Sequence, residues 1–512
     1  MAQTALRAAS TYIIPSLLLL LSGCVSVPEL PNPFANKPKA ESASPATPVA
    51  EKAEVKPAQP TLPAEIQTLI DKANTGDASA MGELGDIYRE GRNIAKDDKK
   101  AFEWYKKSAD ANNPYGIAWT AYNLEKGIGA SKNLTESTKL YEKCATVESD
   151  NKLYCQENYG IALYEGNGTA QNIPLAINVL IAPAQAGKLR SQTNLAEAYA
   201  AINDETNATK WRLAAAEQGD LASQRYVGNR IRLGMGTKKD VKTGLMWLTK
   251  AANGGLLDAQ TNLGILYRNG EGKDIPKNSS LAFYWYMEAA KQGDKDSQFN
   301  VGYMYDTGEG VTRNDFEAVN WYRKAADQGH AAAQRNLGIN YNRGIGVAQN
   351  YTESIKWYQK AADQGDSNAM LNLGYMYNNG VGVVKDYKKA YDLYTKAAEK
   401  GNIIAMNNIG AMFNDGDYVT QNYAEAARWY LRAAEAGYGR SMRNIAAMFE
   451  NGNGVPYSPS QALEWYQKGA NAGDELAMER LAKAYEFGQL GLKKDAKQSN
   501  AWYKKAEIAR RN

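Results

Sequence analysis

One histidine, three cysteines, 56 acidic side chains and 33 tyrosines are the residues of this 512-residue chain from which chemistry could be built. His330 stands alone, so neither a histidine–cysteine metal site nor a histidine-dependent catalytic triad can be assembled around it. It closes Gln328-Gly329-His330, a turn whose last place elsewhere holds aspartate, and it reads as an exposed turn residue. The carboxylates allow glycosidase-type pairs only by chance of folding, because no spacing singles a pair out. Gly-x-Gly recurs at Gly270/Gly272, Gly308/Gly310, Gly344/Gly346, Gly380/Gly382 and Gly452/Gly454. These are not phosphate loops, since they lack the strand before and the Lys-Ser/Thr after. The 60 Lys and Arg leave a net charge of +4, with no basic stripe for nucleic acid. No catalytic, cofactor-binding or metal-ligating residue is assigned, and the chain is not expected to be an enzyme.

The elements that must position every side chain are more legible. Tryptophans recur at close to 36-residue intervals: Trp211, Trp247, Trp285, Trp321, Trp357, Trp429, Trp465 and Trp502, with Leu393 in the skipped place. A fixed period of this length marks a solenoid, in which stacking of neighbours completes the core that no unit completes alone. From Asn368 to Gly401 a unit reads as two helices. Ala369, Leu373, Gly374 and Tyr377 lie at helical spacing in the first, and Ala390, Leu393, Tyr394, Ala397 and Ala398 in the second. The Gly-x-Gly between them supplies a left-handed helix stop. A second glycine closes the unit in Gln292-Gly293-Asp294 and Gln364-Gly365-Asp366, where the aspartate can cap the next helix. Glycine inside a helix costs about 1 kcal/mol relative to alanine. Its recurrence at Gly264, Gly302, Gly338, Gly374 and Gly410 therefore suggests a close approach of two helices.

The pattern A-x-x-x-L-G-x-x-Y-x-x-G-x-G-V, then A-x-x-W-Y-x-K-A-A-x-Q-G, shown by Ala333–Val347 and Trp357–Gly365, resembles the Sel-one-like repeat (SLR) family, a branch of tetratricopeptide-type solenoids. The resemblance covers most of residues 64–512. It implies an all-α, right-handed α/α superhelical solenoid whose first helices line the concave face. Twelve second-helix signatures are present, at Trp104, Leu140, Val179, Trp211, Trp247, Trp285, Trp321, Trp357, Leu393, Trp429, Trp465 and Trp502, so about twelve helix-turn-helix repeats are expected. Ala64–Gly76 reads as an isolated second helix ahead of them. Before Trp211 the pattern drifts: Ile173-Pro174 and Ala182-Pro183 interrupt it, and Ala201-Ile202-Asn203 replaces Gly-x-Gly, predicting a locally irregular stretch.

The N-terminal residues do not belong to this pattern. An apolar run from Tyr12 to Leu21 is followed by Leu21-Ser22-Gly23-Cys24. The layout is that of a signal peptide over residues 1–23, and its last four residues resemble a bacterial lipobox. That resemblance implies cleavage before Cys24 and acylation of its thiol. Val25, rather than aspartate, implies sorting to the outer membrane, most simply facing the periplasm, with exposure on the cell surface also open. Residues 24–63 hold nine of the chain's 16 prolines and read as a lipidated, disordered tether.

Cys144 and Cys155 occupy the alanine positions of a second helix and the next first helix, eleven residues apart. Two readings stand, a disulfide favoured by an oxidising compartment and a pair of buried thiols. Most tyrosines, such as Tyr305, Tyr341 and Tyr377, sit at consensus positions and read as core, while others could face the groove. The leading expectation is an outer-membrane-anchored, non-enzymatic scaffold. It would bind protein partners in its groove, for envelope assembly, export or host interaction, as the resemblance implies. The alternative is a periplasmic lipoprotein that binds glycans, either peptidoglycan or an exopolysaccharide. Specificity is expected at the non-consensus positions of the first helices and in the stretch before Trp211.

Overall fold

The computed structural model describes residues 62–511, and every regular element among them is an α-helix, apart from an isolated β-bridge between Glu271 and Ile275. Helix α1 (Ala64–Asn74) stands alone. Twelve pairs of a first and a second helix follow. They are α2 (Ala78–Glu90) with α3 (Asp98–Asp110), α4 (Pro114–Lys126) with α5 (Leu134–Ala145), α6 (Lys152–Glu165) with α7 (Ile173–Gln185), and α8 (Leu189–Ala201) with α9 (Glu205–Glu217). Next come α10 (Leu221–Leu233) with α11 (Val241–Asn253), α12 (Leu257–Asn269) with α13 (Ser279–Lys291), α14 (Lys295–Thr307) with α15 (Asp315–Asp327), and α16 (Ala331–Arg343) with α17 (Tyr351–Asp363). The last are α18 (Ser367–Asn379) with α19 (Tyr387–Glu399), α20 (Ile403–Asp415) with α21 (Tyr423–Glu435), α22 (Gly439–Asn451) with α23 (Pro459–Asn471), and α24 (Glu475–Phe487) with α25 (Ala496–Arg511). Each of the twelve signature residues from Trp104 to Trp502 falls in one second helix, and the chain is an α/α solenoid. Neighbouring first helices touch directly at α2/α4, α4/α6, α6/α8 and α22/α24, and no two second helices come as close. The first helices thus take the inner side.

Local chemistry starts and stops the helices. Second helices open on Asn, Asp or Ser, whose side chain accepts a first-turn N–H: Asn314 from Glu317, Asn350 from Glu353 and Asp386 from Lys389. First helices close on a left-handed glycine, at φ 69° for Gly344 and 70° for Gly380. The stretch before Trp211 keeps this plan, so the expected interruption is corrected. Helix α7 runs through both of its prolines. Pro174 lies in the first turn, where its missing N–H would have had no partner, and Pro183 lies in the last turn. Asn203, at φ 61°, supplies the left-handed residue of the turn in place of glycine.

The interior glycines answer to a side chain rather than to a second backbone. A Cβ at Gly302, Gly338 or Gly374 would stand 2.8, 2.6 or 2.7 Å from the ring of Tyr322, Tyr358 or Tyr394, the tyrosine that follows the second-helix signature residue of the same unit. Where the first helix ends on an acid the hydroxyl reaches it: Tyr322 donates to Asp306 at 3.2 Å, and Tyr466, in a unit with Ala446 in place of the glycine, to Glu450 at 2.8 Å. Burial, the largest cause, pushes these phenols far above their usual range, so they remain protonated donors. Between units, the second glycine of Gly-x-Gly makes the joint. A Cβ at Gly310 would stand 2.2 Å from the Ser279 carbonyl oxygen, and one at Gly346 2.1 Å from that of Asp315, each in the second helix one unit back. The tryptophans bury between their own first helix and the second helix of the preceding unit, Trp285 in one cluster with Leu263 and Leu248, and Trp357 in one with Leu337 and Ala326. The lysine of W-Y-x-K lies over the indole, at 3.6 Å for Lys324 on Trp321 and 4.1 Å for Lys360 on Trp357.

A glutamine relay runs along the middle units. Gln260 donates to the Ala252 carbonyl of the preceding unit at 3.1 Å, and its own oxygen accepts from Gln292 at 2.8 Å. Gln298 and Gln334 repeat this with Gln328 and Gln364. Where the closing glutamine is missing the relay breaks. Gln224 and Gln156 face Gly254 and Ala186 in place of that glutamine, and the buried Oε1 of each has no partner.

Two measurements follow from these joints. Gly346→Ala should lower denaturant stability by more than about 3 kcal/mol, combining left-handed strain with a backbone clash. Gly329→Ala, at φ 84° with nothing near the missing Cβ, should cost only about 1–2 kcal/mol. Equal losses would remove the joint from the argument. Gly254→Gln, at an ordinary φ of −72°, should raise stability by about 1 kcal/mol by completing the relay to Gln224, once the flexible Leu221 side chain turns aside. A variant no more stable than the parent would show that the unpaired oxygen carries no cost.

Candidate functional site

The inner faces of the first helices hold one feature that the sequence reading passed over. In six consecutive units the residue before the Leu-Gly position is asparagine: Asn262, Asn300, Asn336, Asn372, Asn408 and Asn444, from α12 to α22. Asn158 and Asn194 hold the same place in α6 and α8. Each of the six is half-buried, so the amide is fixed yet reachable. Asn336, Asn372 and Asn408 lie against the hydroxyls of Tyr322, Tyr358 and Tyr394 of the preceding unit. A side-chain amide carries a two-site acceptor and two donor hydrogens, so one tyrosine contact leaves both kinds of capacity free. The signal lies in N-L-G, N-V-G, N-I-G and N-I-A, where the repeat pattern leaves the asparagine's place unspecified. Tyr375, exposed on α18, and the ion pair of Arg335 with the capping Asp366 at 2.8 Å flank the row.

The expected exposed turn residue His330 is corrected. It caps α16, with Nδ1 accepting the Ala333 N–H at 3.1 Å. Its ring stacks on Phe299 at 4.5 Å, and Nε2 lies 3.5 Å from Asp296. The inter-repeat turn is not a loose loop but a seam between units, and this buries the ring. Burial pushes its pKa below the ordinary 6.5, with Asp296 opposing. Only the neutral imidazole can accept at Nδ1, so the cap contributes fully above about pH 6.5 and is lost as pH falls below that. Between pH 7.5 and 5 the protein should lose about 1 kcal/mol that His330→Asp retains. Parallel pH profiles for the two proteins would remove the cap from the explanation.

Cys144 and Cys155 are joined in the structure, with Sγ atoms 2.07 Å and Cα atoms 5.7 Å apart and both side chains fully buried. They tie α5 to α6, across a boundary between units. Cys24, the 1–23 signal peptide and the tether up to residue 61 lie outside the described residues. Among the described residues no helix is long and apolar enough to cross a membrane, and no cluster of three His, Cys, Asp or Glu could hold a metal ion.

The Sel1 repeat family model matches eleven stretches: 78–113, 114–146, 153–178, 221–256, 257–294, 295–330, 331–366, 367–402, 403–438, 439–474 and 476–507. It passes over residues 179–220, where the structure nevertheless builds the pair α8 and α9. Among solved structures the chain is similar to c5321, a protective antigen present in uropathogenic Escherichia coli strains that displays an SLR fold. That match has 26% identity and a TM-score of 0.60, covering 87% of this chain and 90% of that one. A Sel1 repeat protein from Oxalobacter formigenes is 36% identical over 48% of this chain and 96% of its own, with a TM-score of 0.45. No curated protein matches. Eleven repeat matches on a solenoid of the same architecture establish that the chain belongs to the Sel1 repeat family, a protein-interaction scaffold type.

Proposed function

We propose that this Sel1-repeat protein is a non-enzymatic scaffold that holds an extended segment of a protein partner along its inner face. The carrying observation is the asparagine ladder from Asn262 to Asn444. A residue repeated identically in six units cannot read different side chains. It can read the one thing that also repeats along an extended peptide, its backbone, through one donor and one acceptor per unit. Sequence preference would then come from neighbours that change between units, such as Phe299, Arg335 and Tyr375. The N-terminal layout supports delivery of this scaffold to the outer membrane on an acylated Cys24, with service in envelope assembly, export or host contact.

Mass spectrometry of detergent-extracted protein reads the covalent part of this proposal. Diacylglyceryl should be found on Cys24 and no free thiol at Cys144 or Cys155; an unmodified Cys24 defeats the anchoring. For the ladder, cross-linking and affinity capture from the envelope fraction should recover a discrete partner. Asn336→Ala, Asn372→Ala and Asn408→Ala combined should weaken that complex by about a hundredfold or more, given roughly 1 kcal/mol per lost hydrogen bond. The melting temperature should stay near that of the parent. Undiminished binding by the triple variant would sink the ladder reading.

A further inference from the structure

The ladder is broken in the first units: α6 keeps Asn158 and α8 Asn194 at its place, but α2 and α4 do not. At the place of the ladder asparagine, α4 carries Trp119, and around it the inner face changes chemistry. Tyr115, Trp119 and Tyr122 lie at i, i+4 and i+7 on α4, and Tyr154 of α6 faces them across a cavity of about 290 Å³, with Asn151 and Ala118 completing the wall. None of these aromatic positions belongs to the consensus, and none is needed to close a unit in the way the tyrosines over glycine are. The cluster is held from behind. Tyr105 stacks parallel to Trp119 at 5.3 Å, Arg89 lies over the indole at 4.5 Å, and Asp86 accepts from both Tyr105 and Tyr115 at 2.7 Å. Tyr154 directly precedes Cys155, whose bond to Cys144 is the one disulfide among the described residues, so the opposite wall is braced covalently.

Beside this cavity lies a polar one, where α4, α5, α6 and α8 meet. This second cavity, of about 270 Å³, is lined by Glu125, Asn158, Glu165 and Arg190 among others. Tyr141 bridges the two, with its ring 6.1 Å from Tyr154 and its hydroxyl donating to Glu125 at 3.0 Å. Arg190 donates to Asn158 at 2.8 Å. Planar carboxylate, amide and guanidinium groups thus continue a lane that begins on aromatic faces. On α4 the ladder's asparagine is replaced by Trp119, and a purely apolar guest would leave these charged groups facing it. The ligand whose surface alternates in this way is a sugar chain, since each pyranose ring offers an apolar C–H face and a rim of hydroxyls that both donate and accept.

We propose that the groove between α4 and α6 is a saccharide-binding site, with Trp119, Tyr122 and Tyr154 as the stacking platform and Glu125, Asn158 and Arg190 as the hydroxyl-reading end. The site lies ahead of the six-unit asparagine row, sharing with it only the register of Asn158, and does not depend on a protein partner binding there. Preorganisation by Asp86 and by the disulfide limits the ordering cost of binding.

The test uses the purified full chain on an array of neutral, N-acetylated and uronic-acid oligosaccharides, with the best probe then titrated by calorimetry and tryptophan fluorescence. At least one oligosaccharide should bind. Trp119→Ala and Tyr154→Ala should each weaken it about tenfold or more, while Asn372→Ala leaves it unchanged. Tyr154 is partly exposed, so its variant keeps the test valid if Trp119→Ala fails to fold. Arg190→Gln should shift preference among the neutral and acidic arms. Absence of binding across the array overturns the proposal, as does binding indifferent to both aromatic variants. So would a peptide that competes for the cradle when no saccharide binds.

Discussion

A tyrosine ring laid over a helix position that has no side chain is the contact on which six of the twelve units depend, those of Gly85, Gly264, Gly302, Gly338, Gly374 and Gly410. Tyr322, Tyr358 and Tyr394 are almost fully buried, and the glycines beneath them leave no room for a methyl group. Because the ring takes the space of the missing side chain, the two helices of a unit can close with a large aromatic between them. The hydroxyl emerges at the far side, where it meets the asparagine of the next unit and, for Tyr322, Asp306 near the first helix's end. One residue thereby closes its own unit and orients a polar group on the neighbour.

The joint between units is of a different kind. The second glycine of the turn sits against the first residue of the second helix one unit back, and the tryptophan reaches past its own first helix to cover that preceding second helix. Neither contact exists in an isolated unit, which is why stability must be shared along the array. The glutamine relay shows the same logic in polar form. It is complete in the central units and absent where Met370, Met406 and Met442 replace the first-helix glutamine with an apolar side chain. Only the mixed cases, at Gln156 and Gln224, leave a buried oxygen without a partner.

A stack of equivalent units presents equivalent positions in a row, and this gives the inner face its two characters. Where units are alike, one asparagine per unit makes a row of amides in one register, of which Asn300 and Asn444 also bond to neighbouring side chains. Where they differ, at α4 and α6, aromatic and charged residues gather into a local cradle braced by the disulfide. Uniformity suits a repeating polymer backbone, and local variation suits a discrete ligand.

Period, helix content, turn glycines and the number of units were legible in the residues alone, because each is written in local spacing and in conformations that only certain residue types adopt. The twelve second helices and the lone α1 were placed by that reading. Contacts between units were not legible, since they join residues about 30 positions apart through the geometry of stacking. His330 looked exposed because a turn is usually a surface, and only the neighbouring unit's Phe299 shows that it is a seam. Trp119 and Tyr154 lie 35 positions apart in sequence and share a cavity only because α4 and α6 are adjacent first helices. Sequence determined what is stacked; which side chains meet across the stack was decided by tertiary packing, where burial and distance have no local signature.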